Sequence, residues 1–175
     1  TTDRANLQEV TQNVEDFLET LSNNLQGLLR HSFIATQQSA FYKESKESLE
    51  EGEFVVTCDF SENYSFTLQD EVQGFHWNNS QATVHPFVVY FMTEGKLNHL
   101  NFVVISDSLV HDSVAVHLYV KRLIACLKEK FSVLQKMFYF SDGAASQYKN
   151  SKNLINLCLH ASDFQIEAEW HFFAT

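Results

Sequence analysis

The spacing of hydrophobic and polar positions along the chain changes near residue 53. Over residues 5–30, large apolar side chains recur at alternating spacings of three and four, which is the repeat of an amphipathic helix. The apolar positions are Leu7, Val10, Val14, Phe17, Leu21 and Leu28, with Leu18 and Leu25 beside them and Asn24 in the one polar slot. The pattern predicts one long helix here and a second helix from Ser32 to about Leu49.

The heptad spacing of the first helix is typical of a coiled-coil dimer, whereas the width of its apolar face suits packing on its own domain. The repeat lasts only about three heptads. Because roughly eight large apolar side chains on one helix face would otherwise stay in water, we expect this helix to be covered. A homo-oligomer formed through residues 7–28 is therefore one of two expected arrangements.

From residue 53 onward, β-prone apolar runs predict five strands. They lie near residues 53–60, 84–92, 98–106, 136–141 and 166–173. The segment "TEGKLN" joins the second and third strands like a hairpin. Helical patterns in "SVAVHLYVKRLIACLKEKF" and "SQYKNSKNLINLCLH" precede the fourth and fifth strands. This sequence of elements predicts a mixed sheet in the order 3-2-1-4-5, with helices on its faces.

The predicted order of elements is that of the α/β ribonuclease H-like fold. We therefore expect an N-terminal helical extension over residues 1–50 and a ribonuclease H-like domain over residues 51–175. In that fold the first and fourth strands are neighbours. Asp59 lies at the end of the first predicted strand and Asp142 directly follows the fourth, so we expect these two carboxylates to emerge side by side.

Two aspartates at adjacent strand ends can hold hard, oxygen-seeking divalent cations such as Mg²⁺ or Mn²⁺. Two such ions roughly 4 Å apart can activate a water or a 3′-hydroxyl for phosphodiester chemistry. The alternative is that each aspartate only caps the turn or helix that follows it. The matching topological positions of Asp59 and Asp142 favour the metal site over two independent caps.

Five polar residues close to these aspartates in sequence are further candidates: Glu62, Asn63, Gln147, Lys149 and Asn150. The first two can complete the outer shell of a metal, or form a solvated turn. The other three lie near the start of the predicted helix after Asp142. There they can receive a phosphate, or serve as ordinary polar residues of a helix start.

Charge and cysteine content narrow the choice of function. The chain has 22 acidic and 12 basic residues, for a formal net charge of −10, which opposes nonspecific attraction to nucleic acid. A metal-dependent core remains compatible with this charge, and DNA would then be bound through parts of a longer protein. The odd cysteine count, without a C-x-x-C pair, predicts reduced core thiols of a nuclear or cytoplasmic protein. No apolar run approaches the roughly 20 residues of a membrane span.

Five segments together carry a family resemblance: "CDFSENY", "LQDEVQGFHWNNSQATVHPFVVYF", "FVVISDSLVHDSVAVH", "FSDGAASQYKN" and "AEWHFFAT". The set resembles the catalytic core of eukaryotic DDE-type transposases and their domesticated relatives, over about residues 28–175. The resemblance implies that Asp59 and Asp142 are the first two acids of a DDE/D triad that binds Mg²⁺ or Mn²⁺. It places the third acid beyond Thr175, so we expect a C-terminally incomplete domain. Glu169 lies inside the fifth strand and is not assigned that role.

The resemblance implies divalent-metal-dependent cleavage or strand transfer of DNA. The alternative, from another class, is a catalytically silent domesticated transposase domain that acts as a protein-interaction or dimerisation scaffold. The two aspartates favour the enzyme. The acidic charge balance and the absence of a third acid of the triad from residues 1–175 favour the scaffold.

Overall fold

The computed structural model describes residues 11–66 and 80–174. Within these ranges the chain forms a mixed α/β fold. Its elements, in chain order, are α1 (Val14–Glu47), β1 (Glu53–Cys58), β2 (Tyr64–Ser65), β3 (Gln81–Thr93), β4 (Lys96–Ser106), α2 (Ser113–Lys130), β5 (Lys136–Ser141), α3 (Ser151–Phe164) and β6 (Glu167–Phe172). None of the described helices combines the length and the apolar character needed to cross a bilayer.

The strands form one mixed sheet of six. β1 lies between β3, which is antiparallel to it, and β5, which is parallel to it. β6 continues the parallel part beyond β5, and β4 pairs with the other side of β3 in a long antiparallel ladder. The adjacency of β1 and β5, on which the expected carboxylate pair depends, is therefore present.

The predicted five-strand order was incomplete because it lacked β2. This strand of two residues pairs with β3, Tyr64 opposite Ala82 and Ser65 opposite Gln81. Because β2 lies beside β3, the observed strand order differs from the predicted order 3-2-1-4-5. Alternation of apolar and polar residues cannot reveal a strand of only two residues, both of them exposed.

The hairpin predicted at "TEGKLN" is confirmed. Thr93 pairs with Lys96, which leaves Glu94 and Gly95 as a two-residue turn. Both turn residues have positive φ, 52° and 70°, as expected for the type I′ turn that matches the twist of antiparallel strands. Because the turn is this tight, pairing continues up to it, and β3 and β4 are longer than predicted.

Helix α1 is continuous where the sequence predicted two helices. Asn13 caps its start, with Oδ1 accepting the N–H of Asp16 at 2.8 Å. Ser32, the predicted start of a second helix, lies inside α1, where its carbonyl accepts the Thr36 hydroxyl at 2.8 Å. No glycine or proline stands within four residues of Ser32, so nothing local breaks the helix. Residues 5–10 of the first predicted helix lie outside the described residues.

The main core lies on one face of the sheet, beneath α2 and α3. Its largest buried members are Phe54, Phe87, Ile124, Leu127, Met137, Tyr139, Tyr148 and Ile166. The other face is covered by the C-terminal third of α1, where Leu49, Val55 and Phe140 form a smaller cluster. Residues 14–34 of α1 are exposed, so most of this helix extends away from the sheet.

The three cysteines differ in their surroundings. Cys58 is buried, Cys126 is half-buried and Cys158 is exposed, and all three are free thiols. The prediction that all three are core residues was therefore wrong for Cys158. Its apolar neighbours in the sequence are themselves partly outward-facing, since Leu154, Ile155 and Leu159 of α3 are exposed as well.

Candidate functional site

The ends of β1 and β5 bring the two predicted aspartates together. The parallel ladder between these strands ends with Thr57 opposite Phe140. Asp59 and Asp142 each lie two residues beyond that pair, and neighbouring strands are about 4.8 Å apart. Alternation along each strand assigns both aspartates to the face of the sheet that also bears Thr57 and Phe140.

The two carboxylates interact electrostatically. The pKa of Asp59 is raised, first by its partial burial and then by the negative charge of Asp142, although a backbone hydrogen bond from Phe60 acts in the opposite direction. The like charge of Asp142 thus disfavours the ionised form of Asp59. A cation bound between Asp59 and Asp142 would remove that repulsion.

Each aspartate also caps the turn that follows it, through one oxygen. Asp59 Oδ1 accepts the N–H of Phe60 at 2.8 Å, and Asp142 Oδ1 accepts the N–H of Ala144 at 3.1 Å. Among the residues that the structure describes, no hydrogen bond reaches Oδ2 of either side chain. Capping through Oδ1 is therefore compatible with a cation at Oδ2 of each aspartate.

The donor set suits a hard divalent cation, because carboxylate oxygens are the ligands that Mg²⁺ and Mn²⁺ prefer. Asp59 and Asp142 would be its protein ligands. In residues 11–66 and 80–174, no group of three or more histidine, cysteine, aspartate or glutamate side chains is arranged to hold a metal. Within that part of the chain, the candidate site is a pair of carboxylates.

Beneath the pair lies a buried hydrogen bond that sequence reasoning missed. His85 Nε2 is 2.9 Å from the hydroxyl oxygen of Tyr148, and both residues are fully buried. The pKa of Tyr148 is raised, chiefly by burial and further by the nearby carboxylates of Asp59 and Asp142. The available signal was a histidine in the largely apolar strand "ATVHPFVVYF".

The ring of Phe60 anchors the chain directly after Asp59. It meets the His85 ring edge-on, with centroids 4.5 Å apart and an interplanar angle of 88°. On another side it stacks on His111, with centroids 4.3 Å apart and an angle of 20°. These contacts hold the backbone that carries the first aspartate against β3 and the segment before α2.

Asn63 extends the same anchor. Its Oδ1 accepts hydrogen bonds from His111 Nε2 at 2.8 Å and from the Thr83 hydroxyl at 3.0 Å. The structure thus places this predicted candidate in a network that fastens the loop after β1. Glu62 is exposed beside it, and its carbonyl accepts the Ser61 hydroxyl at 3.2 Å.

The three candidates after Asp142 occupy the turn before α3. Asn150 caps that helix, with Oδ1 accepting the N–H of Asn153 at 3.0 Å, and its Nδ2 donates to the carbonyls of Ala145 and Gln147 at 3.0 and 3.2 Å. Both ends of its amide are therefore engaged in the fold. Gln147 is half-buried, and among the described residues only its main chain takes part in hydrogen bonds.

Lys149 is the first basic residue after Asp142 in the sequence. It is exposed, and its Nζ lies 5.6 Å from the centroid of the Phe172 ring. The side chain borders a groove of about 460 Å³ between α1 and the ends of β5 and β6. The groove lies on the face to which strand alternation assigns the aspartates, so the ammonium group is available to an anion that enters from there.

Glu169 lies apart from the carboxylate pair, as its position inside the last predicted strand required. It pairs in register with Phe138, in the middle of the β5–β6 ladder. Its Oε1 is 2.6 Å from Lys136 Nζ and its Oε2 is 3.3 Å from His171 Nε2. The hydrogen bond from Lys136 lowers the pKa of Glu169, so this carboxylate serves a local ion pair.

Family membership rests on most of the chain. Residues 38–175 match the family described as Domain of unknown function (DUF8701). The chain belongs to the DUF8701 family. The DUF8701 match begins within α1, close to where that helix first contacts the sheet, and it includes both aspartates and all five flanking candidates. No curated protein matches the chain.

Proposed function

We propose that this DUF8701 chain is a transposase-derived, ribonuclease H-like core for divalent-metal-dependent cleavage or strand transfer of DNA. The observation that carries the proposal is the emergence of Asp59 and Asp142 from the adjacent parallel strands β1 and β5. The arrangement of the five long strands, antiparallel on one side of β1 and parallel on the other, supports the ribonuclease H-like assignment.

In this proposal Asp59 and Asp142 hold Mg²⁺ or Mn²⁺ through carboxylate oxygens. When bound, such an ion supplies Lewis-acid activation of a hydroxyl group and neutralises developing charge on phosphate oxygens. The protein itself positions the two carboxylates. The buried pair of His85 and Tyr148, together with Phe60, holds the end of β1 in place. The distance between the carboxylates of Asp59 and Asp142 therefore stays fixed.

Lys149 would hold a phosphate at the edge of the groove, where its ammonium group faces solvent. A single lysine does not offset a net charge of −10 over the chain. Stable DNA binding is therefore assigned to other parts of a longer protein, and this chain contributes the reacting groups.

Titration with Mn²⁺ tests the site directly. We expect Mn²⁺ to raise the melting temperature of the wild type, while Asp59→Asn and Asp142→Asn each weaken binding by roughly tenfold or more. Asp107→Asn is the matched control, because Asp107 also directly follows a strand, β4, which is separated from β1 by β3. Its response to Mn²⁺ should equal that of the wild type.

An equal response to Mn²⁺ from the wild type and all three variants would contradict the proposal. It would mean that the two aspartates serve only as caps of the turns that follow β1 and β5. The capping hydrogen bonds to Phe60 and Ala144 would then be their whole function.

The second candidate function is a catalytically silent interaction scaffold. It is favoured by the exposed apolar residues along the N-terminal half of α1, which a catalytic core does not need. Single-turnover assays on a labelled DNA duplex in millimolar Mn²⁺ separate the two functions. Cleavage that Asp142→Asn abolishes supports the enzyme, and metal binding without cleavage by the full-length protein supports the scaffold.

A further inference from the structure

Seven large apolar side chains form a continuous stripe on the N-terminal half of α1. We call this the α1 stripe: Val14, Phe17, Leu18, Leu21, Leu25, Leu28 and Leu29, each at least 45% exposed. At 3.6 residues per turn, they lie within an arc of about 120° over roughly 24 Å of helix. A contiguous apolar surface of this size marks an interaction site on a protein.

The sheet of the same chain does not cover the stripe, because α1 uses another face to contact it. The Tyr42 hydroxyl lies 2.8 Å from the Thr57 hydroxyl, and Gln38 Nε2 donates to the Phe172 carbonyl at 2.7 Å. Viewed along the helix axis, the centre of the α1 residues that contact the sheet lies more than about 100° from the centre of the stripe. Docking of the C-terminal third of α1 therefore leaves the stripe in solvent.

We infer that the α1 stripe binds the same stripe of a second copy, as a two-helix coiled coil. Val14, Phe17, Leu21, Asn24 and Leu28 follow one another at spacings of three, four, three and four, which places them at successive a and d positions. A single polar residue in such a seam favours the register that pairs it with a polar group, at a cost in stability. Asn24 lies in the middle of this seam, where it can pair with a polar residue of the partner helix.

The α1 stripe is about as large as the surface that one partner buries in a stable dimer interface. Seven side chains that are roughly half exposed offer on the order of 700 Å² per chain, close to the roughly 800 Å² per partner of a standard interface. The partner would therefore bury most of the stripe, with Leu29, at a b position, at its edge.

Charge does not oppose this association, although the chain carries a net charge of −10. The acidic residues of the first turns, Glu15, Asp16 and Glu19, fall at b, c and f positions, which face away from a two-helix seam. The flanking e and g positions carry leucine, threonine and glycine between residues 18 and 27. Like charges are thus absent from the contact between the two helices.

Molar mass in solution tests the inference, independently of any metal chemistry. Sedimentation equilibrium of the wild type should give twice the chain mass of 20.2 kDa. The double variant Leu21→Glu, Leu28→Glu should give the mass of one chain. Ile34→Glu is the matched control, because Ile34 is 42% exposed against 45% for Leu21 and lies on another face of α1; it should leave the dimer intact. Circular dichroism should show full helix content in every variant.

Two results would overturn the inference. One is a wild-type mass of a single chain at about 100 µM, well above the range in which standard interfaces assemble. The other is a dimer that the double stripe variant leaves intact.

The position of Asn24 provides a second test. Asn24→Leu should tighten the dissociation constant at least tenfold or shift the protein to larger oligomers, because it removes the polar residue from an apolar seam. An unchanged dissociation constant and mass would place Asn24 outside the seam and overturn the proposed register.

Discussion

The hydroxyl oxygen of Tyr148 lies 2.9 Å from Nε2 of His85, and both side chains are fully buried. The other ring nitrogen of the histidine, Nδ1, is buried without a hydrogen-bond partner among the described groups. The Phe60 ring packs on this histidine, so one buried hydrogen bond supports the strand end that presents Asp59.

Removal of this hydroxyl should be costly. Tyr148→Phe leaves both nitrogens of His85 unsatisfied in the core, and we expect it to lower the free energy of unfolding by about 1–3 kcal/mol. Tyr119→Phe is the control, since Tyr119 is also buried and no hydrogen bond of its hydroxyl is found in the described ranges. Urea unfolding of both variants measures the difference. Equal losses would show that the His85 contact contributes nothing specific.

His85 should also make stability depend on pH. Burial, aided by the nearby His111, lowers the pKa of His85 from 6.5 to about 4. Because the folded state disfavours the proton and the unfolded state accepts it, the free energy of unfolding should be highest above about pH 6.5 and fall as the pH drops toward 4. Between about pH 7 and pH 5 the loss should be about 2 kcal/mol.

Substitution of the histidine identifies its share of this effect. His85→Gln should flatten the pH dependence between about pH 7 and pH 5. Part of the slope should remain, because burial also lowers the pKa of His160. Urea unfolding at several pH values measures both. A slope that His85→Gln leaves unchanged would contradict the assignment.

Asp59 should contribute little stability in the absence of metal. Its pKa is raised by burial and by Asp142, so at neutral pH the folded state holds an unfavourable charge. Asp59→Ala in EDTA should therefore cost less than Asp112→Ala, which removes the α2 cap with hydrogen bonds to Val114 and Ala115 at 3.0 and 2.9 Å. Loss of that cap should cost about 1 kcal/mol. Equal costs, measured by chemical unfolding, would make Asp59 an ordinary cap.

Gly52 should tolerate no side chain. It has φ of +88°, and an added Cβ would lie 2.9 Å from Val133 Cγ1. Its carbonyl accepts the N–H of Gln135 at 2.8 Å, which joins the starts of β1 and β5. Gly52→Ala should therefore lower the free energy of unfolding by roughly 1–2 kcal/mol.

Gly27 provides the opposite comparison. It lies inside α1 with no atom within 4 Å of an added Cβ, so Gly27→Ala should raise helix stability by roughly 0.5–1 kcal/mol. Thermal unfolding of the two glycine variants should shift in opposite directions. Shifts of the same sign would contradict the backbone argument at Gly52.

The candidate site could be predicted in part. Asp59 and Asp142 each end an apolar run, which is a local signal, and the order of elements then placed their strands side by side. The supporting contacts could not be predicted in this way, because His85 and Tyr148 are 63 positions apart and Asn63 and His111 are 48 apart. Their pairing depends on how β3, the turn before α3 and the segment before α2 meet.

The sequence by itself determined where the long strands lie, the apolar stripe of α1 and the turn at Gly95. It also determined the two carboxylates at the strand ends. Each of these features is a property of residues close together along the chain. Only the tertiary structure decided that α1 is one helix, that β2 joins the sheet, and that the loop after β1 rests on Phe60, His85 and Tyr148. Those outcomes depend on burial and hydrogen bonds between segments far apart in sequence, and such contacts leave no repeat in the order of residues.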